Sequence, residues 1–450
     1  MRSPRGAWIW LVGKEWRELV ASRSWWVMLA VMGPLVGFGF ISAVRTYGEA
    51  SGLNGTAIGV GEAFSPLVGI WAPTFSACEL AAAFLLPFVA IRLVAGDRQS
   101  GALKLELQHV MPAIGRVGTK ALVLVGGWAI ASAAPATAVA LWWTYGGSIY
   151  APELAGVMAG HLLNAGLTIA LAAAAASATD HPSTAAIVTL TATVGTWVVN
   201  FVAAVHGGVW ERIARYTPTA MVAEFQHGLI RLEVVLAALT LIAAGLALAA
   251  IWVQLGVAVK RRAIESMAVA AATALVLAAC MRVTASWDVS EARANSFARE
   301  DEAALARIPG PLTIEVHLAP EDPRRVDLEH RALSKLRRVR PDVRVRYVSA
   351  TSIGLFEQTS EGYGEIRYEL GGRTAVSRST TAEAVLETIY ELAGATPPVE
   401  SEDSVFRGHP LTATTKGAAV VFYGVWPVIV IAVGLSPRWP GRRKKVKRKR

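Results

Sequence analysis

Val234-Val-Leu-Ala-Ala-Leu-Thr-Leu-Ile-Ala-Ala-Gly-Leu-Ala-Leu-Ala-Ala-Ile-Trp-Val-Gln-Leu-Gly-Val257 runs for 24 residues without a charged side chain. A helix crosses the hydrocarbon core of a bilayer with about 20 mainly apolar residues, because there only a helix or a closed barrel satisfies its own backbone groups. Outward from this stretch, seven further segments meet the same condition: residues 25–44, 74–95, 121–145, 154–177, 185–205, 267–283 and 417–435. The segment 267–283 is short, and Arg282 must snorkel from its end. The expected fold is therefore an α-helical integral membrane protein of about eight transmembrane helices. Composition agrees: the 450 residues are 53% hydrophobic and 17% charged, against about 25% charged in soluble domains, which excludes a single soluble globule.

Net charge is +10, from 44 Lys and Arg against 34 Asp and Glu. Its position matters more than its size. The last ten residues hold eight basic and no acidic groups, so the other 440 carry 10 − 8 = +2. Nucleic-acid binding, which the raw total would allow, loses its support. Lys and Arg in short flanks stay on the cytoplasmic side. With the N terminus inside, those flanks collect Arg2, Arg5, Lys14, Arg17, Arg23, Arg98, Lys104, Arg116, Lys120, residues 260–262 and the tail. An even number of spans then puts both termini in the cytoplasm. Loop 178–184 has no Lys or Arg, so the middle of this topology rests on parity. Trp142, Trp143 and Tyr145 fit an outer aromatic belt. No cleavable secretory signal is expected before the first span, since residues 4–23 are amphipathic.

Residues 288–410 are polar and long enough to fold alone. The pattern reads as helix (297–308), strand (312–318), helix (324–339), strand (343–348), a hairpin (364–369 and 374–377) and helix (382–392). Strand, helix and strand in close succession predict a parallel pair with a right-handed crossover, hence a small α/β domain, which parity places outside the cytoplasm. It carries 16 Lys and Arg against 21 Asp and Glu, yet Arg331, Lys335, Arg337, Arg338, Arg340, Arg344 and Arg346 gather locally. That cluster suits an anionic envelope partner or a solvated helix face. The organisation is thus an interfacial helix (1–24), six spans (25–259), a cytoplasmic link with the seventh span (260–287), the α/β domain (288–410), the eighth span (411–436) and a basic tail (437–450).

Enzymatic motifs are lacking. There is no G-x-x-x-x-G-K-[ST] phosphate loop, so ATP hydrolysis by this chain is not expected. No H-E-x-x-H, C-x-x-C or G-x-S-x-G occurs, no metal site is expected, and His317 and His330 read as surface residues. Cys78 and Cys280 sit in apolar runs and read as packing residues. Trp8, Leu11, Val12, Trp16, Leu19 and Val20 share one helical face ahead of the first span, as in a helix lying among inner headgroups; a longer, tilted first span is the alternative. Residues 97–112 predict a short cytoplasmic helix with Leu103, Leu107 and Val110 on one side, fitted to a partner's groove or equally to solvent. Within the spans, Glu79, His161, Asn164 and Asn200 are costly in lipid, so they face protein or a pathway. Interhelical hydrogen bonding, or an interface position for Glu79, accounts for them more simply than substrate contact does.

Lys14-Glu15 with Trp16 and Arg17, then Asp97-Arg98, Gly101, Leu103, Glu106, Leu107 and Pro112, then Lys120, resemble the pattern of permease subunits of type-2 ATP-binding-cassette (ABC) exporters. Tyr216-Thr217-Pro218, Phe225, Gly228 and residues 229–233 look like that family's outer re-entrant helices. From residue 287 onward, Trp287-Asp288-Val289-Ser290, the strands and the final span with its basic end resemble a gliding-motility-type auxiliary subunit, here fused and shortened. The resemblance implies a permease powered by a separate ABC ATPase subunit. That partner would dock under residues 97–112 and the interfacial helix, with a second permease copy or paralogue enclosing the path. ATP would be bound through the partner, with no cofactor on this chain, in the bacterial cytoplasmic (inner) membrane. The alternative is a non-transporting membrane scaffold of a gliding-motility or envelope apparatus. A secondary transporter fits less well, since no inverted repeat is evident and intramembrane charges are few.

Overall fold

The computed structural model describes residues 4–53, 65–101, 111–206, 208–254, 256–319, 322–348, 362–398 and 406–436. Among these, seven helices are long and apolar enough to cross a membrane: Arg23–Ala50, Leu67–Asp97, Ala113–Thr144, Ala151–Ala178, Pro182–His206, Leu232–Trp252 and Val259–Cys280. An eighth apolar helix, Val420–Leu435, is shorter. The chain is accordingly a helical, multi-pass membrane protein by the length and composition of its helices.

Contacts sort the helix ends onto two poles. At one pole the helix Pro4–Ala21 packs against the end of the second span and the start of the third, and Lys14 and Lys120 bind Asp97. At the other, the end of the first span meets the approach to the last: the Tyr47 hydroxyl donates to the His409 carbonyl at 2.5 Å. Tyr145, closing the third span, donates to the Lys416 carbonyl at 3.2 Å. The eighth helix then returns along the first in the opposite sense, with Phe422 on Gly37, Trp426 on Gly33 and Trp26 on Gly434. A Cβ at Gly37 or Gly33 would collide with those rings. Among the described residues this short helix thus packs antiparallel to the first span, which brings its C-terminal end beside the N-terminal end of that span.

One detail differs from the sequence-based expectations and another agrees with them. Trp142 is fully buried, donates to the Ser148 carbonyl at 2.8 Å and packs edge-on against Tyr47 and Trp71. It is a core residue, whereas Trp143, 71% exposed, and the half-buried Tyr145 still suit an aromatic belt. The amphipathic start is its own helix, not an extension of the first span: Ser22 is extended (φ −76°, ψ 124°) and separates Pro4–Ala21 from Arg23–Ala50.

The polar module has a separate core. Strands β1 (Leu229–Arg231) and β2 (Ser286–Asp288) pair antiparallel and fasten it to the body. Beyond them, β3 (Leu312–Val316), β4 (Arg344–Tyr347), β5 (Ile366–Leu370) and β6 (Arg373–Ser377) form one sheet in the order β4-β3-β5-β6. β3 and β4 are parallel, as the strand-helix-strand succession predicts; the other pairs are antiparallel. Leu312, Ile314 and Val316 alternate inward beside Ile366, Tyr368 and Leu370, and helices Arg299–Arg307, Pro323–Val339 and Ala382–Ala393 cover that face. Each such burial stabilises by about 1.5–3 kcal/mol.

The basic cluster of the module is largely spent internally. Arg337 pairs with Glu329, Arg340 with Asp342 at 2.8 Å and Arg346 with Glu315 at 3.2 Å. Arg338 donates to the Ser286 hydroxyl at 3.1 Å, across the junction. His330 is exposed as expected, whereas His317 is half-buried. Cys78 and Cys280 are free thiols and buried, as packing residues should be.

Candidate functional site

The interfacial helix presents Leu11, Glu15 and Leu19 at four-residue spacing, one stripe of a helix face. All three are buried, Glu15 completely. Its carboxylate meets Lys120, from the first turns of the third span, at 2.7 Å. The same ammonium binds Asp97 and donates to the Leu93 carbonyl at 3.2 Å, so its three protons are all engaged. Lys14 adds a second cation, 2.8 Å from Asp97 and 3.1 Å from Glu15. Glu18, 42% exposed, adds a third carboxylate 3.3 Å from Lys14, so two ammonium groups and three carboxylates close a cluster that ties three elements together. Burial pushes the Glu15 carboxyl above its usual range, and Lys120 and Lys14 oppose that shift. Trp16 packs over Gly126 of the third span, where a Cβ would lie 3.2 Å from its ring. Arg17 stays at the surface and donates to the Gly13 carbonyl at 2.9 Å.

Asp97 and Arg98 lie in the last turn of helix Leu86–Ser100, which prolongs the second span, and not on a separate short helix. Gly101 ends that helix in the left-handed region (φ +75°), where glycine carries no Cβ penalty. Pro112, extended at ψ 150°, immediately precedes helix Ala113–Ala131, and Arg116 donates to the Met111 carbonyl at 2.7 Å. Leu103, Glu106 and Leu107 lie outside the described residues, as does the Arg98 side chain and the basic tail.

The intramembrane polar residues divide into two sets. Glu79 and Asn200 come together on a cavity of about 780 Å³, mouth included, between the second and fifth spans. Thr219 bonds Glu79, and Thr217 donates to the Asn200 amide oxygen at 2.9 Å. Both threonines belong to the start of helix Pro218–Gln226, whose first amides Thr217 caps. That helix dips into the body: Phe225 lies on Gly160, ten residues into the fourth span and about 15 Å along its axis. At its end Gly228, in the left-handed region (φ +76°), turns the chain into β1. His161 lies elsewhere, against Phe75 and Gln226, on a second cavity. Asn164, one turn on, is buried and lines neither.

Comparison with protein-family models and with curated proteins finds no match for this chain.

Sequence reasoning missed the junction between body and module. Glu153, in the first turn of the fourth span, is fully buried and accepts the Glu291 backbone N–H at 2.6 Å. Glu291 in turn meets His409 at 3.0 Å. Asp288 accepts from the Ser290 and Asn295 backbone N–H groups, at 3.1 and 3.0 Å, and from the Ser296 hydroxyl at 2.8 Å. The available signal was an acidic residue directly after Pro152 at a span start, an ordinary helix opening whose distant partner no local pattern reveals.

Proposed function

We propose that this chain is the membrane-spanning permease subunit of an ABC-type exporter, powered by a separate ATPase subunit. One observation carries the reading. Lys14, Glu15, Asp97 and Lys120 are scattered over more than a hundred positions, are among the residues that carry the family resemblance, and meet in one buried cluster. A push on the segment after Asp97 would reach the interfacial helix and the third span through those ion pairs. The cavity between the second and fifth spans, with Glu79, Asn200 and Thr219 on its wall, would form the path when a second copy or a paralogue pairs across it. Both termini would be cytoplasmic in a bacterial inner membrane, and the α/β module (288–410) would stand outside, recruiting or gating cargo. The tight junction around Glu153, Asp288 and Glu291 favours, as second reading, a non-transporting scaffold that holds the module in place.

The test is reconstitution in proteoliposomes with the ATP-binding-cassette ATPase that co-purifies with the chain. Hydrolysis is expected to rise above that of the ATPase alone, and to fall back when Lys120→Ala loosens the cluster. An ATPase rate indifferent to the chain, with no cargo moved, sinks the exporter and leaves the scaffold.

A further inference from the structure

The cavity between the second and fifth spans holds about 780 Å³ of empty space with its mouth included, and Ser76, Glu79, Leu80, Trp197, Asn200 and Thr219 line it. Clefts of about 300–1,000 Å³ take small molecules. Glu79 is the one charged side chain on this wall among the described residues, and it is half-buried. Elsewhere in the body Glu15 and Asp97 share Lys120, and Glu224 meets Arg231 at 3.3 Å. Glu79 has no such counter-charge. Among the described residues it takes one hydrogen bond, from the Thr219 hydroxyl, and no Lys, Arg or His pairs with it. Trp197 stands half-buried on the same wall. Phe84 meets its ring at 67°, with centroids 5.7 Å apart, and so covers at most one face of the indole.

A carboxylate without a counter-charge and an indole on one cavity are the two groups that together recognise an organic cation: the first attracts its charge, and the ring face attracts the substituents that carry it. We propose that this cavity binds a lipophilic organic cation, a quaternary ammonium or phosphonium or a protonated amine with hydrocarbon substituents, its charge against Glu79 and its substituents against Trp197 and Leu80. A bare metal ion fits the wall less well. Calcium takes about 6–8 oxygen ligands, whereas here one carboxylate is set among apolar groups. The Ser76 hydroxyl is already bonded to the Ala72 carbonyl at 2.8 Å, and the Asn200 amide oxygen to Thr217. As a substrate class the organic cation rests on the permease reading, in which the same cavity forms the path.

The experiment measures binding of tritiated tetraphenylphosphonium to the full chain in nanodiscs of zwitterionic phospholipid, with no ATPase present. Saturable binding above that of empty nanodiscs is expected, displaced by tetrabutylammonium and not by tetraphenylsilane, a neutral molecule of the same shape. Glu79→Gln, which keeps the size of the side chain and an oxygen for Thr219, weakens it by about tenfold. Trp197→Leu weakens it by about fivefold. Uptake equal to that of empty nanodiscs overturns the proposal, as does equal displacement by tetraphenylsilane or unchanged affinity in either variant. Displacement by magnesium at constant ionic strength overturns it in favour of an inorganic cation site. Should Glu79→Gln fail to fold, Trp197→Leu and the competition series still decide. Loss of binding strikes the cation site and leaves ATPase stimulation to its own test, whereas an indifferent ATPase beside intact binding strikes the permease reading alone.

Discussion

The membrane body and the polar module both hold ion pairs, and they use them in opposite ways. In the body, Glu15, Asp97 and Lys120 are each under a tenth exposed and bind one another across three elements. In the module, Arg346 and Arg378 are at least 70% exposed where they meet Glu315 and Glu365. A buried charge stripped of its partner has no water to fall back on, whereas an exposed one is rehydrated at once. The body therefore depends on its charges and the module on its apolar core.

The largest effect should come from Lys120→Ala, which leaves Glu15 and Asp97 buried with only Lys14 between them. A loss of about 3–5 kcal/mol is expected, read as a lower unfolding midpoint in detergent, and a loss below about 1 kcal/mol would erase the contrast between the regions. Tyr390→Phe comes next. Its hydroxyl donates to Asp301 at 2.6 Å, both buried in the module core, and removing it should cost about 1–3 kcal/mol, seen as faster amide exchange in β5 and helix Ala382–Ala393.

The third effect is a pH dependence. The Arg324 side chain, then Tyr363, holds the Asp322 carboxyl down at about 2. A depressed carboxylate contributes stability that is fully present above the unfolded carboxylate range near about 4 and is lost as pH falls through about 2. Because Arg324 is 49% exposed, solvent screening limits this to about 1 kcal/mol. Asp322→Asn should remove that stability at pH 7 and flatten exchange in the module between pH 4 and pH 2; an unchanged acid profile would refute the assignment. The smallest effect is Arg346→Ala, below about 1 kcal/mol and absent in high salt. A larger, salt-insensitive loss would mean that the module also leans on its charges.

Most of the module was legible in the sequence because its signals are local. Alternation in 312–316 and 366–370, Gly371-Gly372 at the hairpin and the three-and-four spacing of 382–393 each report on neighbours a few residues away. Of the body, span positions were legible and their ends less so: Arg23–Ala50 runs six residues past the expected end, Leu67–Asp97 starts seven before the expected start, and Ala113–Thr144 and Val259–Cys280 start eight before theirs. The partners of the polar residues were not. Glu79 and Asn200 share a cavity while His161 faces another, although all four intramembrane polar residues carry the same signal of unusual polarity in an apolar run. Glu15 was legible as part of a motif and illegible as a buried charge, because Lys120 stands 105 residues away.

The sequence by itself determined that the chain is a helical, multi-pass membrane protein with a polar α/β module, and within it the parallel β3–β4 pair and the β5–β6 hairpin, since hydrophobic length and periodicity carry those. Tertiary structure alone decided which charges are buried, that Trp142 is core, and that the short eighth helix seats on the glycine face of the first. Burial and pairing are properties of two surfaces meeting, and a single segment specifies only one of them.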